Sequence, residues 1–145
     1  VKGLDETFLV MNGDVLTTLD FAKLIDYHRK SGALVTVAVH SREAKIDLGV
    51  LKLNGDSRVV DYIEKPTYNF EVSMGVYVFE PAVVDFIPFN QYFDFPSLIL
   101  KLLAADRMVK VYRYDGYWMD LGRPDDYEQA VLDFERMKTE FLPEV

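Results

Sequence analysis

The stretch Phe8-Leu9-Val10-Met11-Asn12-Gly13-Asp14 decides the fold. Four apolar residues in succession, without alternation, predict a strand buried on both faces of a mostly parallel sheet. Gly13 breaks the strand, and Asp14 follows just beyond its carboxyl end, where open α/β sheets bind ligands. A carboxylate there suits a divalent metal. An ordinary Asn-Gly-Asp turn is the plain alternative, and the rest of the chain has to decide between them.

Downstream, Phe21, Leu24, Ile25 and His28 recur at helical spacing, with Thr17-Thr18 as capping candidates and Gly32 as the stop. His28 falls on the inward face, which favours a packed, hydrogen-bonded histidine over a catalytic one. Leu34 to Val39 is a β-rich run, so strand, helix and strand make a right-handed βαβ unit. Then the period changes. Gly49 to Leu53 and Val59 to Ile63 flank Asn54-Gly55-Asp56 and predict a hairpin around an Asn-Gly turn. Glu64-Lys65-Pro66 ends its second strand, because proline cannot continue the ladder.

A strand from Val72 to Phe79 comes next, then a short helix opened by Pro81 and a second helix from Pro96 to Ala105. Val109 to Tyr112 and Tyr117 to Asp120 read as strands. The last helix starts at Pro124 with Asp125-Asp126 at its positive end, and Tyr127, Ala130, Val131, Phe134 and Met137 line one face. Its charges otherwise read as a solvated surface. The architecture is a three-layer α/β sheet with an antiparallel hairpin insertion. A strand buried on both faces needs neighbours on both sides, and nothing precedes this one. The reading is that another chain pairs there or that the protein is longer.

Composition narrows the function. The chain has 145 residues, half of them apolar and 14% aromatic, which is one globular domain's worth. Its formal charge of −8 argues against general nucleic-acid binding, and for a phosphorylated ligand it calls for a metal or local cations. There is no cysteine, so disulfides and thiolate zinc sites are excluded. No apolar run approaches the roughly 20 residues of a membrane helix, and the first residues lack a signal-peptide pattern. A soluble cytoplasmic protein is expected, without membrane contact.

Polar groups gather where strands end. Asp14 and Asp120 are placed to share one Mg²⁺, an ion that favours carboxylates and keeps several waters. Lys65 offers a point charge for a phosphate and Glu64 an acceptor for hydroxyls. Gly49 and Gly75 remove side chains where a ligand can approach backbone. Each has a bland reading, an exposed strand-end pair or a bulge. Tyr112, Tyr114 and Tyr117 suit a pocket or an interface no better than core packing.

Taken in order, Phe8 to Asp14, Leu48-Gly49-Val50, Ile63-Glu64-Lys65-Pro66, Gly75 to Phe79 and Tyr117 to Tyr127 resemble the sugar-phosphate nucleotidyltransferases, most closely the mannose-1-phosphate guanylyltransferase and glucose-1-phosphate nucleotidyltransferase branch. The resemblance implies a Rossmann-like nucleotide-diphospho-sugar transferase fold with a mixed sheet. The implied reaction is attack by a sugar-1-phosphate on the α-phosphorus of a nucleoside triphosphate, releasing pyrophosphate. In that scheme Asp14, Lys65 and Asp120 are catalytic, and Asp14 and Asp120 hold Mg²⁺. Glu64 binds sugar hydroxyls, Lys65 the sugar phosphate, Gly49 and Gly75 line the sugar pocket, and Trp118 packs behind Asp120.

The family's glycine-rich nucleotide loop and the Pro-Lys segment after it do not occur in this sequence. Residues 1–145 therefore read as the C-terminal part of the domain, the sugar-phosphate and metal half, with the fold incomplete and the chain inactive alone. The exposed sheet edge this leaves invites pairing or homo-oligomers. The alternative is a non-catalytic module that binds a sugar phosphate or regulates or assembles a catalytic partner. A metal-dependent glycosyltransferase needs an Asp-x-Asp pair, which Asn12-Gly13-Asp14 does not offer.

Overall fold

In a computed structural model that describes residues 4–142, the long buried runs lie at residues 33–39 and 74–79, not at the first strand. The first leads into β3 (Val35–Lys45) and the second ends β6 (Thr67–Phe79), the central pair of a four-stranded sheet whose order is β1-β6-β3-β7. β1 (Phe8–Met11) lies antiparallel to β6, while β7 (Val109–Arg113) lies parallel to β3, so the sheet is mixed.

Strand alternation sorts the core into two layers. Val35, Val37, Val39, Tyr77 and Phe79 point to one side and pack with Val83, Leu98 and Leu102. Ala38, Met74, Val76 and Val78 point to the other and pack with Leu19 and Leu24. Each fully buried Val or Leu contributes about 1.5–3 kcal/mol. The first side is covered by a 3-10 turn (Pro81–Phe86) and α2 (Phe95–Ala104), the second by α1 (Phe21–Ser31).

β1 departs from the sequence reading. Phe8 and Leu9 reach the two core layers, but Val10 and Met11 are 41% and 43% exposed. Among the described residues β1 pairs with β6 alone, so it is an edge strand, and β6 lies between it and β3. Which strands flank a strand is a property of topology that its own composition does not carry.

α1 is capped by Asp20, whose side chain accepts from the Lys23 N–H at 3.0 Å, and it ends at Gly32 in the left-handed conformation. Thr17 and Thr18 are not the caps. Their hydroxyls go to the Tyr117 carbonyl at 2.9 Å and the Tyr114 phenol at 2.7 Å. His28 is buried, with Nε2 3.0 Å from Glu80 Oε1 and Nδ1 2.8 Å from Thr36 Oγ1. An ionised carboxylate only accepts, so Nε2 carries a proton, and in the neutral imidazole the Thr36 hydroxyl donates to Nδ1. The Thr7 hydroxyl donates to the same Glu80 oxygen at 2.8 Å.

β2 (Val15–Thr17) and β8 (Trp118–Asp120) form a separate antiparallel ribbon. α3 (Pro124–Arg136) follows and then α4 (Lys138–Phe141). Here too the sequence reading needs correction: Tyr127 and Val131 are exposed, and the buried residues of α3 are Ala130 and Asp133. The Asp133 carboxylate accepts from the Tyr117 phenol at 2.9 Å and from Arg136 at 2.7 Å. The ring of Phe141 meets that of Tyr117 edge-on at 5.2 Å.

The chain divides into two compact units, one from the described residues of Val1–His40 and Ser73–Val145, the other Ser41–Val72. The second holds the hairpin of β4 (Val50–Leu53) and β5 (Val59–Ile63), as the sequence reading has it. Its turn is not a two-residue Asn-Gly turn. The Asn54 side chain accepts from the Asp56 and Arg58 N–H groups, and the left-handed residue is Ser57 (φ 62°). No helix among the described residues is long and apolar enough to cross a membrane.

Two expectations follow. Gly75 lies within β6 at φ 73°, and an added methyl would sit 2.8 Å from Asn12 Nδ2. Gly75→Ala is therefore expected to lower stability by about 1–3 kcal/mol in urea denaturation. Burial and the bond to Asp133 push the Tyr117 phenol up to about 12 from the ordinary 10.0. The folded value lies above the unfolded one, so this stabilisation is intact below pH 10 and is lost as pH rises through about 12. Absorbance titration should find one tyrosine ionising near pH 12 that disappears in Tyr117→Phe.

Candidate functional site

Asp14 and Asp120, far apart in sequence, meet on the β2–β8 ribbon. Val15 pairs with Asp120, Leu16 with Met119 and Thr17 with Trp118. The Leu121 N–H donates to the Asp14 carbonyl at 2.8 Å and carries the ladder one residue further. Strict pleating would put the two aspartates on opposite faces. Asp14, however, belongs to the turn before β2 and not to the strand, so its direction is set by the turn. Both residues are exposed.

The ribbon is fastened to the main sheet by Trp118. Its indole N–H donates to the Met74 carbonyl at 3.0 Å, and its ring centre lies 5.5 Å from that of His40. The next residue after Met74 is Gly75, whose carbonyl accepts from the Asn12 N–H at 2.8 Å. With no side chain, Gly75 leaves its space to the Asn12 amide. One end of the first unit thus gathers the Asn12-Gly13-Asp14 turn, Gly75, Trp118 and Asp120. Gly122 adds to this: a methyl there would lie 3.1 Å from the Asp120 Oδ2.

Among the described residues no cluster of three or more His, Asp or Glu could enclose a metal. A closed protein cage is therefore not on offer. Two exposed carboxylates, one on β8 and one in the turn that leads into β2, do suit Mg²⁺, which takes one or two carboxylates and completes its shell with water and substrate phosphates. A surface hollow of about 590 Å³ at the start of α1, lined by Thr18, Asp20, Phe21, Lys23 and Phe141 among others, includes none of the candidate residues.

The remaining candidates, Gly49, Glu64 and Lys65, lie in the second unit. Glu64 and Lys65 are exposed just after β5. The Tyr62 phenol donates to Glu64 Oε2 at 2.6 Å, and its ring fills the space a side chain at Gly49 would take. Lys65 adopts φ 43°, the left-handed region, directly before Pro66. Lysine is held there at a cost of about 1–3 kcal/mol, and such outliers concentrate at functional sites. The sequence reading passed over both Tyr62 and this conformation. The two-residue spacing of Tyr62 and Glu64 was a usable signal, since residues i and i+2 share a strand face; no sequence signal marks the φ of Lys65.

The nucleotidyl transferase family profile matches residues 1–136. The chain belongs to the nucleotidyl transferase family. It is 34% identical over 138 residues to the mannose-1-phosphate guanylyltransferase of Mycobacterium tuberculosis, covering 91% of this chain and 38% of that protein. It is 32% identical over 134 residues to the UTP–glucose-1-phosphate uridylyltransferase of Synechocystis, covering 88% and 34%. The chain thus spans little more than a third of the length of these curated relatives. Among solved structures, HddC from Yersinia pseudotuberculosis superposes with a TM-score of 0.58 at 22% identity, covering 89% of this chain and 56% of that one. A Bacillus anthracis structure in complex with a sucrose gives 0.61 at 16%, covering 87% and 53%. At these identities the structural likeness establishes the fold, that of the nucleotide-diphospho-sugar transferases.

If the Lys65 conformation is kept for its side chain, removing that side chain should relieve the backbone. Lys65→Gly is expected to be at least as stable as the parent in thermal denaturation, by up to about 1 kcal/mol. Lys65→Ala, which keeps the backbone penalty, should show no such gain.

Proposed function

We propose that this chain forms the sugar-phosphate and metal half of an enzyme that transfers a nucleotidyl group from a nucleoside triphosphate to a sugar-1-phosphate, with release of pyrophosphate. The observation that carries the reading is the β2–β8 ribbon, in which Asp120 on β8 pairs with Val15, the residue after Asp14, while Asn12 of the same turn bonds Gly75. Membership in the nucleotidyl transferase family supports it. In this reading Asp14 and Asp120 hold Mg²⁺, which when bound supplies neutralisation of charge on the phosphorylated substrates.

The residues of the chain do the positioning. Lys65 holds the sugar phosphate as a point charge, and Glu64 accepts from the sugar hydroxyls. Gly49 and Gly75 border the sugar, and Trp118 holds Asp120 from behind through its strand. No covalent nucleophile is required. The triphosphate needs a glycine-rich loop and further cations from outside these residues, so residues 1–145 correspond to a C-terminal part and are not competent alone. A cytoplasmic setting and self-pairing through the β1 edge belong to the same proposal. A non-catalytic sugar-phosphate-binding or assembly module is the second reading, favoured by one observation: the eight glycines are scattered and make no phosphate loop.

Calorimetric titration with mannose-1-phosphate and glucose-1-phosphate, with and without Mg²⁺, tests the proposal. At least one should bind the folded chain, and Lys65→Ala should weaken it about tenfold or more, roughly 1.4 kcal/mol. Asp14→Asn should remove any dependence on Mg²⁺. A folded chain that binds neither sugar phosphate overturns the assignment.

A further inference from the structure

Within the hairpin unit one side chain has a geometry that the family reading does not use. Tyr62 is the middle of three groups. Its phenol donates to Glu64 Oε2 at 2.6 Å, in the short range of a hydroxyl bonded to a carboxylate. Its ring lies over Gly49, where a methyl group would run into the phenol and come within 2.9 Å of Cε2. The empty side-chain position at Gly49 is therefore the seat of the Tyr62 ring. Glu64 follows the last residue of β5, and the hydrogen bond itself shows that the two side chains lie together.

Core packing does not account for this tyrosine. It is 59% exposed, and its cross-strand partner Leu51 is 51% exposed. An exposed strand position would accept a valine or threonine as readily. The hairpin is held independently by the ladder and by the Lys52–Asp61 ion pair at 2.9 Å, on the next register pair. What the phenol adds is a fixed direction for a flexible glutamate. Hydrogen bonding to Glu64, with a smaller effect of burial, also shifts the phenol upward from its ordinary value, in keeping with its role as the donor.

We propose that Tyr62 is a positioning residue for the sugar site: its phenol ties one oxygen of Glu64 and presents the other to a substrate hydroxyl. The inference rests on the function proposed above. A carboxylate has about four acceptor positions on its two oxygens. Among the described residues the Tyr62 phenol is the only group bonded to the Glu64 side chain, and that bond is on Oε2. Oε1 remains to accept from the sugar. A glutamate already held in place loses less rotational freedom when the ligand arrives. The phosphate end of the ligand, which Lys65 takes, gains nothing from Tyr62. The sugar end does, and that difference is measurable.

Tyr62→Phe keeps the ring and the strand and deletes only the hydroxyl. The full chain would be titrated with mannose-1-phosphate, glucose-1-phosphate and inorganic phosphate. The sugar phosphate that binds should weaken about three- to tenfold, within the range of an ordinary hydrogen bond's net contribution because the bond acts on the ligand only through Glu64, while inorganic phosphate stays within about twofold. Glu64→Gln should give a similar selective loss, and adding Tyr62→Phe to it should cost nothing further. Gly49→Ala, which pushes the ring aside, should reproduce the pattern. Unchanged sugar-phosphate binding in Tyr62→Phe overturns the inference and leaves the proposed function standing, and so does equal weakening of both ligands, which would mark a merely structural role. A parent chain that binds neither sugar phosphate overturns the proposed function and this inference with it.

Discussion

Burial of β3 and β6 on both faces is the constraint the first unit depends on. A strand in that position cannot face water on either side, so both its odd and even residues are apolar and both faces must be covered by a packed layer. Val35, Val37 and Val39 meet one layer and Ala38 the other, with Tyr77 and Phe79 answered by Val76 and Val78. The single polar residue in the buried run of β3, Thr36, is tolerated because its hydroxyl is bonded to His28. Everything peripheral, α1, α2, β1 and the β2–β8 ribbon, is arranged to cover this pair.

The candidate site of the first unit sits where that regularity gives way. Gly75 turns to positive φ in the middle of β6, and the strand there meets the Asn12 turn on one side and the Trp118 indole on the other. A kink at a buried position sacrifices ladder regularity, and here it coincides with the ribbon that carries Asp14 and Asp120. The second unit uses a different device, a strained Lys65 and a glutamate tethered by a phenol. In both, backbone irregularity lies at or beside the residues with chemistry to offer.

Much of this was readable in advance wherever the signal was local. The periodicity of Phe21 to His28 gave α1 and the inward, hydrogen-bonded histidine; Pro124 marked the start of α3; the apolar runs around Asn54 gave the hairpin. Apart from the hairpin turn, where the Asn54 side chain claims N–H groups two and four residues on, the failures share one cause, dependence on partners distant in sequence. Phe8 to Met11 looks as buried as Val35 to Val39, yet it sits at an edge because of what lies beside it. Asp133 read as one more surface charge, and only the approach of Tyr117 gives it a buried place. Thr17 and Thr18 were reasonable caps by type, but Tyr117 and Tyr114 claim their hydroxyls. For the candidate site, residue types and order were legible, and the contacts that orient them were not.

The Glu80 carboxylate has a consequence for how this sequence can drift. One oxygen receives both Thr7 and His28, and His28 in turn engages Thr36, so four residues from separate elements form one closed set of donors and acceptors. Replacing His28, Thr36 or Glu80 strands a polar group belonging to another. Thr36→Val leaves Nδ1 without a donor, and Glu80→Gln changes what the imidazole must present. Viable routes through sequence space at these positions are concerted ones, so among diverging relatives His28, Thr36 and Glu80 should be inherited or exchanged as a block while the exposed residues around them vary freely.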